Sequence, residues 1–492
     1  MSRYNLLDEK WIPTACSGYV SLLDVFENNE IRGLGGNPVE RIALTKLLLA
    51  IVQTAVPIKD ERAFNALSAS QVSEMTREYL SSRREAFYLY GDRPFLQMAA
   101  LSKFESKDLS NLQPEISSGN TALYTDFQRT RRNSDRDKAL LVVSQMSMAI
   151  GGMKTDNSIV LSKTYTGKRK SCGKVTTSLP GPGVGYQGAL HSFVTKPTLI
   201  ETLMVNLFTQ AELKQIGIYE KGLGVPPWDS VVVNEDCRSA KALRKTYMGR
   251  LVPMNRFMLL TDEGVVYTEG VKHLSHKDMM FDPSATVFNV KKDVKMVWAN
   301  PDKKPWRDVT AMLSFIEQQK SVTTCLQLKY GLRKALAMSE DVGIWSGGMR
   351  ISSKSGKQYM SGTDDYVQSS LTLDKTTLNE LWFESYKNEI EELNKLSSAL
   401  YSGVKSYNEE FNRSFELPAG NATREFWKLC DRYSQELVDS CDDAVAMASL
   451  RKTYVKQVNA IFNKICPKES GRQLKAWITS KPMLAGYLNG QK

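Results

Sequence analysis

Ten apolar residues, Leu378, Trp382, Tyr386, Ile390, Leu393, Leu396, Leu400, Val404, Tyr407 and Phe411, recur at spacings of three or four. That is the repeat of an α-helix surface, so the stretch predicts one long helix with a single apolar stripe. Such a stripe is stable only when other elements cover it. The following sequence supplies the cover. Pro418 and Gly420 break the pattern, helices are predicted over 422–441, 442–465 and 471–480, and Pro467 and Pro482 punctuate them. Four helices joined by short connections predict an antiparallel bundle over residues 366–492.

Residues 1–365 have a different texture. A strand-like segment at 19–23 precedes a helix over 39–56, whose Ile42, Leu44, Leu47, Leu48, Leu49, Ile51 and Val52 predict burial on nearly every side. A second, amphipathic helix is predicted over 60–80, and 91–97 reads as a turn into a packed strand. Residues 139–150 have helical periodicity, and strand-like segments at 256–260, 265–268, 286–290 and 294–299 alternate with turns. The expected fold class is therefore α+β: a large mixed α/β N-terminal domain over 1–365, followed by a four-helix bundle over 366–492.

Charge divides the chain in the same place. Residues 366–492 hold 17 Lys and Arg against 16 Asp and Glu, which leaves 48 against 38 for residues 1–365 and puts most of the net charge of +11 there. A basic domain beside a near-neutral one suits a polyanion for the first and protein contacts for the second. The longest apolar run, 47–56, is interrupted by Gln53 and is too short to cross a bilayer, so no membrane partner is expected. The opening Met-Ser-Arg-Tyr-Asn does not read as a secretory leader. Seven scattered cysteines without a CxxC fit reduced thiols and a cytoplasmic setting better than a disulfide framework or a cysteine zinc site.

Within the basic domain four segments stand out. Between Asp341 and Asp364 no acidic residue occurs, and Gly347-Gly348-Met349-Arg350-Ile351-Ser352-Ser353-Lys354-Ser355-Gly356-Lys357-Gln358 reads as a hairpin with a polar, cationic tip. Hydroxyls, amides and ammonium groups suit phosphates and base edges. Residues 125–138 carry Arg129, Arg131, Arg132, Arg136 and Lys138. Residues 154–174 carry Lys154, Lys163, Lys168, Arg169, Lys170 and Lys174 against Asp156 alone, a set suited to phosphate contacts. Gly181-Pro182-Gly183-Val184-Gly185-Tyr186-Gln187-Gly188 satisfies GxGxxG, but Pro180 precedes it and Pro182 interrupts it, which excludes a dinucleotide fingerprint. Its glycines permit close backbone approach to a groove or a phosphate. Solvated loops remain the alternative for each segment. Tyr124, Phe127, Tyr165, Tyr186 and Tyr359 lie near these cations, as base stacking would use them; core packing is the alternative.

Chemistry of the catalytic kind is missing from the pattern. His191, His273 and His276 show no metal-ligand spacing, and no nucleophile elbow, Walker motif or kinase set is present. Asp442-Asp443 fits a helix start. No cofactor and no metal are expected, and the chain is expected not to be an enzyme.

Asn5-Leu6-Leu7-Asp8-Glu9-Lys10-Trp11-Ile12-Pro13, Arg93-Pro94-Phe95-Leu96-Gln97, the run 181–188 and Gly347-Gly348-Met349-Arg350 resemble, in order, segments of the CasA family, the large subunit of the type I-E CRISPR Cascade surveillance complex. The resemblance implies a non-catalytic subunit of an antiviral complex. It would recognise the protospacer-adjacent motif of double-stranded DNA from the minor groove, start R-loop formation with the guide crRNA and help recruit a helicase–nuclease. The backbone, 5′-handle-capping and small Cascade subunits are the other partners it implies. Carried over by residue, it places Gly181, Pro182, Gly183, Val184 and Gly185 against the minor groove with Lys272, although an ungapped register lands on Val271. The strand-separating wedge falls on Arg350, Ser352, Ser353, Lys354 and Gln358. A loop near the guide's 5′ end falls on 124–138, with Tyr124 in place of a family aromatic and Asp126, Arg129, Arg131 and Arg132 beside it. Many relatives have Asn and Gln where Ser352 and Ser353 stand, which passes the wedge to Lys354 or Gln358. A cysteine cluster of some relatives is reduced here to Cys237. Residues 154–174 look like an insertion.

Two alternatives stay open: a metal-dependent nuclease using scattered carboxylates such as Asp364, and an architectural RNA-binding scaffold. Incubated with labelled DNA and Mg²⁺ or Mn²⁺, the pure chain is expected to leave the DNA intact. Cleavage that disappears in Asp364→Ala would instead establish the nuclease.

Overall fold

The computed structural model describes residues 4–16, 18–113, 134–148, 188–271, 273–288, 294–316, 323–339, 341–354, 357–360, 365–375 and 378–488. It is an α+β fold that ends in a helical bundle. β1 (Ile12–Pro13) and β2 (Tyr19–Val20) form a short antiparallel pair. The strand expected over 19–23 stops at Val20 because Ser21 and Asp24 exchange side-chain and backbone hydrogen bonds, a capping box that starts α1 (Leu22–Glu27). α2 (Pro38–Ala55) is the expected buried helix, capped by Asn37 and Glu40, with Pro38 at the first position, where no N–H is needed.

The helix expected over 60–80 is divided into α3 (Glu61–Asn65) and α4 (Ala69–Ser82), because Ser68 and Gln71 form a second capping box and restart it. The packed strand expected within 91–97 is absent. Leu96 adopts φ +53°, outside the extended region, and Gln97 serves as a tie, donating to Leu89 O at 2.7 Å and accepting from Leu260 N–H at 2.8 Å. α5 (Asp135–Ser147) starts ahead of its expected position because Ser134 and Asp137 cap it.

β3 (His191–Thr195) leads into α6 (Leu199–Val205), α7 (Gln210–Ile216), α8 (Arg238–Leu243) and α9 (Met248–Leu251). β4 (Arg256–Leu260) and β5 (Val265–Glu269) lie where strand-like segments were expected, and they pair as an antiparallel hairpin. β6 (Val287–Phe288) and β7 (Lys295–Met296) pair over a shorter length than the pattern predicts, and 289–293 lie outside the described residues. After α10 (Val309–Met312) and α11 (Leu326–Met338) come β8 (Asp341–Met349), the small strands β9 (Ser352–Lys354) and β10 (Lys357–Tyr359), and β11 (Tyr366–Asp374). β11, β8 and β3 make a three-stranded antiparallel sheet in that order.

The predicted long helix is α12 (Glu380–Glu409). Pro418 and Gly420 do not break the pattern; they lie near the start of α13 (Glu416–Arg432), where Pro removes no intrahelical hydrogen bond. The single helix expected over 422–441 is interrupted at Tyr433, after which α14 (Ser434–Ser440) begins. α15 (Ala444–Ile465), α16 (Gly471–Ser480) and α17 (Ala485–Leu488) complete the chain, and α12 packs on α13, α15 and α16. One apolar core runs unbroken from the sheet into this bundle, through Val194, Ile344, Leu371, Trp306, Trp382 and Tyr386. Polar ties reinforce it: Tyr386 donates to Trp306 O at 2.9 Å, and Trp306 Nε1 donates to Asp431 Oδ1 at 2.7 Å. The free edge of β11 is covered by Gln435, whose amide both accepts from Thr372 N–H and donates to Thr372 O at 2.9 Å.

His191 is wholly buried and His273 nearly so. Burial, with Lys46 beside the first and Arg250 beside the second, lowers each to about 3. A histidine kept neutral in the fold but free to protonate when unfolded stabilises fully above its ordinary value of about 6.5, and that stability is lost as pH falls from there toward 3. Each is expected to cost about 2 kcal/mol on going from neutral pH to pH ~5. Denaturant melts should show the acid slope reduced by roughly half in His191→Gln or His273→Gln. An unchanged slope in both would refute the assignment.

Candidate nucleic-acid interface

β8 and β11 are the legs of one long hairpin, paired from Asp341 opposite Asp374 to Met349 opposite Tyr366. Where the legs leave the sheet, a clamp closes them. Arg350 N–H donates to Asp365 O at 2.9 Å, and its Nε and Nη2 reach Asp365 Oδ1 at 2.7 and 2.6 Å. Asp365 is 1% exposed, whereas the Arg350 side chain is 42% exposed and lies 3.9 Å from Asp302. A charge-assisted contact to a buried carboxylate is among the stronger polar contacts a fold can make. Arg350, expected in the wedge, thus stands at the base of the projecting segment with its charge engaged.

Beyond the clamp, β9 and β10 form the hairpin that the acid-free window predicts, with Ser352 opposite Tyr359, Ser353 opposite Gln358 and Lys354 opposite Lys357. Ser352 is half-buried; Ser353, Lys354 and Gln358 are placed by backbone register. Only Ser355 and Gly356 separate the strands in sequence.

The glycine run ends against this base. Gly188 adopts φ +73°, and a Cβ there would stand 1.9 Å from Met349 O and 3.3 Å from Ile351 N. Gly188 O accepts from Ala299 N–H at 2.8 Å, and Leu190 N–H donates to Val297 O at 3.0 Å. Gly348 is also crowded, though less so, since a Cβ would come within 2.8 Å of Ala189 O. The segment rejoining the fold from the glycine run and the hairpin therefore share one root.

Gly181, Pro182, Gly183, Val184 and Gly185 themselves lie outside the described residues, as do Tyr124, Asp126, Arg129, Arg131, Arg132, Lys154, Lys163, Lys168, Arg169, Lys170, Lys272 and Asp364. Their flanks are fixed. Arg136 and Lys138, expected in the first basic loop, lie in the first turn of α5 instead, where Arg136 stacks over Tyr19 at 3.9 Å and Lys138 lies over Tyr90 at 5.9 Å. Around position 272, Val271 N–H donates to Met254 O at 2.8 Å and His273 Nε2 pairs with Pro253 O at 2.7 Å. Val271 is 1% exposed, so the ungapped register would put a buried valine at the groove.

Two residues near the hairpin base escaped the sequence reading. Asp365, the residue after the Asp364 that closes the acid-free window, was visible as an acid in the sequence, but its pairing with Arg350 was not. Arg41 of α2 stacks over Trp345 of β8 at 4.6 Å, a contact between distant segments that no local pattern announces. Among the described residues, no cluster of three His, Cys, Asp or Glu side chains could hold a metal, and no helix is long and apolar enough to cross a membrane.

With this geometry in place, three comparisons apply. A family model described as CRISPR-associated protein Cse1 matches residues 5–465. The CRISPR-associated protein CasA/Cse1 of Thermus thermophilus is 28% identical over 337 residues, 64% of this chain and 61% of the relative, so the match spans less than two thirds of that relative's length. The crystal structure of Thermobifida fusca Cse1 superposes with a TM-score of 0.76 at 17% identity, covering 99% of this chain and 98% of the other. A chain of a CRISPR RNA-guided surveillance complex gives 0.70 at 13% identity, covering 99% and 100%.

Gly188→Ala is expected to force the root apart, because the residue needs a left-handed conformation and the new Cβ has no room. Hydrogen exchange at the Ala299 and Arg350 amides should accelerate at least tenfold. Gly420→Ala, in open space on a helix, should leave it unchanged.

Proposed function

Because the chain belongs to the CRISPR-associated Cse1 family, we propose that it is the non-catalytic large subunit of a type I-E Cascade complex, reading a short motif in double-stranded DNA and opening the duplex beside it. The observation that carries this reading is the shared root of the glycine run and the hairpin. A protein that reads a minor groove and splits the adjoining base pairs needs a flat, Cβ-poor backbone in the groove and a narrow projection one step away. Gly188 packed on Met349 and Ile351 supports that adjacency.

The chemistry follows from where each group is anchored. Glycines at 181, 183 and 185 would let backbone amides approach the groove floor, with Lys272 as the cation among them. The hairpin beyond the Arg350–Asp365 clamp would enter between base pairs. Unstacking a step costs a few kcal/mol, which a rigid insert and the pairing of the freed strand with guide crRNA offset. A clamp at the hairpin base supplies that rigidity. Lys354 and Gln358 are the longer side chains of the tip; Ser352 and Ser353 stand where a bulkier pair would fill the gap. Lys154, Lys163, Lys168, Arg169 and Lys170 would contact phosphates without reading sequence, and 124–138 would lie near the guide's 5′ end. The core continuous from sheet to bundle supports a role for the bundle in docking other Cascade subunits and in relaying duplex opening toward a helicase–nuclease.

In the assembled complex, charge reversal at Lys163, Lys168 and Lys170 should weaken duplex binding about equally for all sequences. The slope of log affinity against log salt should become shallower by roughly one for each phosphate that is no longer neutralised. Lys272→Ala or Gly183→Leu should instead erode preference for the correct motif, and Lys354→Ala with Gln358→Ala should reduce strand opening reported by 2-aminopurine next to the motif. Motif preference that survives both groove changes would overturn the assignment.

A further inference from the structure

Arg250, on the single turn α9, is among the largest side chains wholly inside the protein, at 1% exposure. None of its three guanidinium nitrogens meets an acceptor among the described residues. A guanidinium has five N–H donors, and buried charges in folded proteins are otherwise paired. Burial lowers Arg250 only to about 10, so it is still charged at neutral pH.

Its surroundings do not supply the missing charge. Tyr247 lies one helical turn earlier, on the same face, is fully buried, and its hydroxyl also has no partner among the described residues. The Tyr219 ring sits 5.6 Å from that of Tyr247, and its hydroxyl donates to Phe281 O at 3.2 Å. The next residue, Asp282, is the carboxylate whose field reaches Arg250, and it is already engaged: Lys46 takes Oδ2, and the Ser284 hydroxyl and N–H take Oδ1 at 2.6 and 3.0 Å. His273, whose Cε1 would lie 3.2 Å from a Cβ on Gly249, is neutral. Lys46 therefore makes the ion pair with Asp282, and among the described residues the Arg250 guanidinium is left without a paired carboxylate.

We propose that Arg250 and the hydroxyl of Tyr247 hold a small monoatomic anion, chloride in solution, in the core behind the segment 253–254. A water there accepts hydrogen bonds but leaves the charge uncompensated. At 1% exposure the guanidinium favours a small ion over a larger one. By completing the contacts of α9, the anion would stiffen Pro253 and Met254, whose carbonyls hold His273 and Val271 on either side of position 272.

The test compares unfolding of the full chain in chloride and in gluconate at equal ionic strength. Chloride should stabilise the wild-type chain as one site requires, with the folding equilibrium constant rising about tenfold for each tenfold of chloride above its Kd. Arg250→Met should lose that dependence. If Arg250→Met does not fold, bromide in crystals of the wild-type chain decides: an anomalous peak within hydrogen-bond reach of the guanidinium supports the site. Equal chloride and gluconate dependence, or density at Arg250 without anomalous signal in bromide, means water alone and overturns the proposal.

Discussion

The buried ion pair between Lys46 and Asp282 joins residues far apart in sequence, and the end of the fold that carries the hairpin hangs from it. Burial alone would raise the Asp282 carboxyl, but Lys46, His191 and the Ser284 hydroxyl hold it well below the ordinary carboxylate range. Through that carboxylate the long helix α2 is fastened to the segment 282–285. Ser284 O accepts from Ser192 N–H at 2.8 Å, and Ala285 bridges His191, so the same segment fixes β3. β3 fixes β8, whose far end carries the hairpin. Replacing such a pair by apolar residues is often neutral for stability, whereas removing one partner strands a charge. In this fold the pair ties α2 to the segment that also holds β3.

Rigidity at the hairpin base then comes from two contacts of different kinds. Arg350 and Asp365 close the legs by charge, and Gly188 against Met349 closes the neighbouring strand by the absence of a side chain. Neither contact is large. Each works because the sheet beneath is held on both faces, by Arg41 and α2 over Trp345 on one side and by the core shared with the bundle on the other. Gln435 removes the remaining liability by occupying the free edge of β11 with a side-chain amide.

Several departures of the fold from the sequence pattern have one physical source. At Ser21, Ser68 and Ser134, a Ser followed three residues on by Asp or Gln forms a reciprocal cap, and each such cap starts a helix where apolar periodicity alone places a strand, a helix interior or a loop. Pro418 misled in the opposite direction: a proline breaks a helix only where an N–H is needed, and the start of α13 needs none. At 91–97 the residues are apolar enough for a strand, but Leu96 turns left-handed so that Gln97 can tie two distant backbones.

Amino-acid order was sufficient for whatever depends on neighbours along the chain. Apolar spacing set the length of α12 and the burial of α2, charge distribution separated a basic part from a neutral one, and the acid-free window marked a polar hairpin at Ser352–Tyr359. Packing in three dimensions settled what depends on residues brought together by the fold. Arg350 lies fifteen positions from Asp365 and becomes a clamp rather than a free cation; Gly188 is required because Met349 occupies the place of its Cβ. Lys46 and Asp282 meet across 236 residues, and Arg250 is enclosed beside a carboxylate already taken. Local pattern fixes how a segment folds because its determinants are a few residues away. Pairing of buried charge is settled only when distant segments exclude water together, and no spacing along the chain encodes which carboxylate each cation will find.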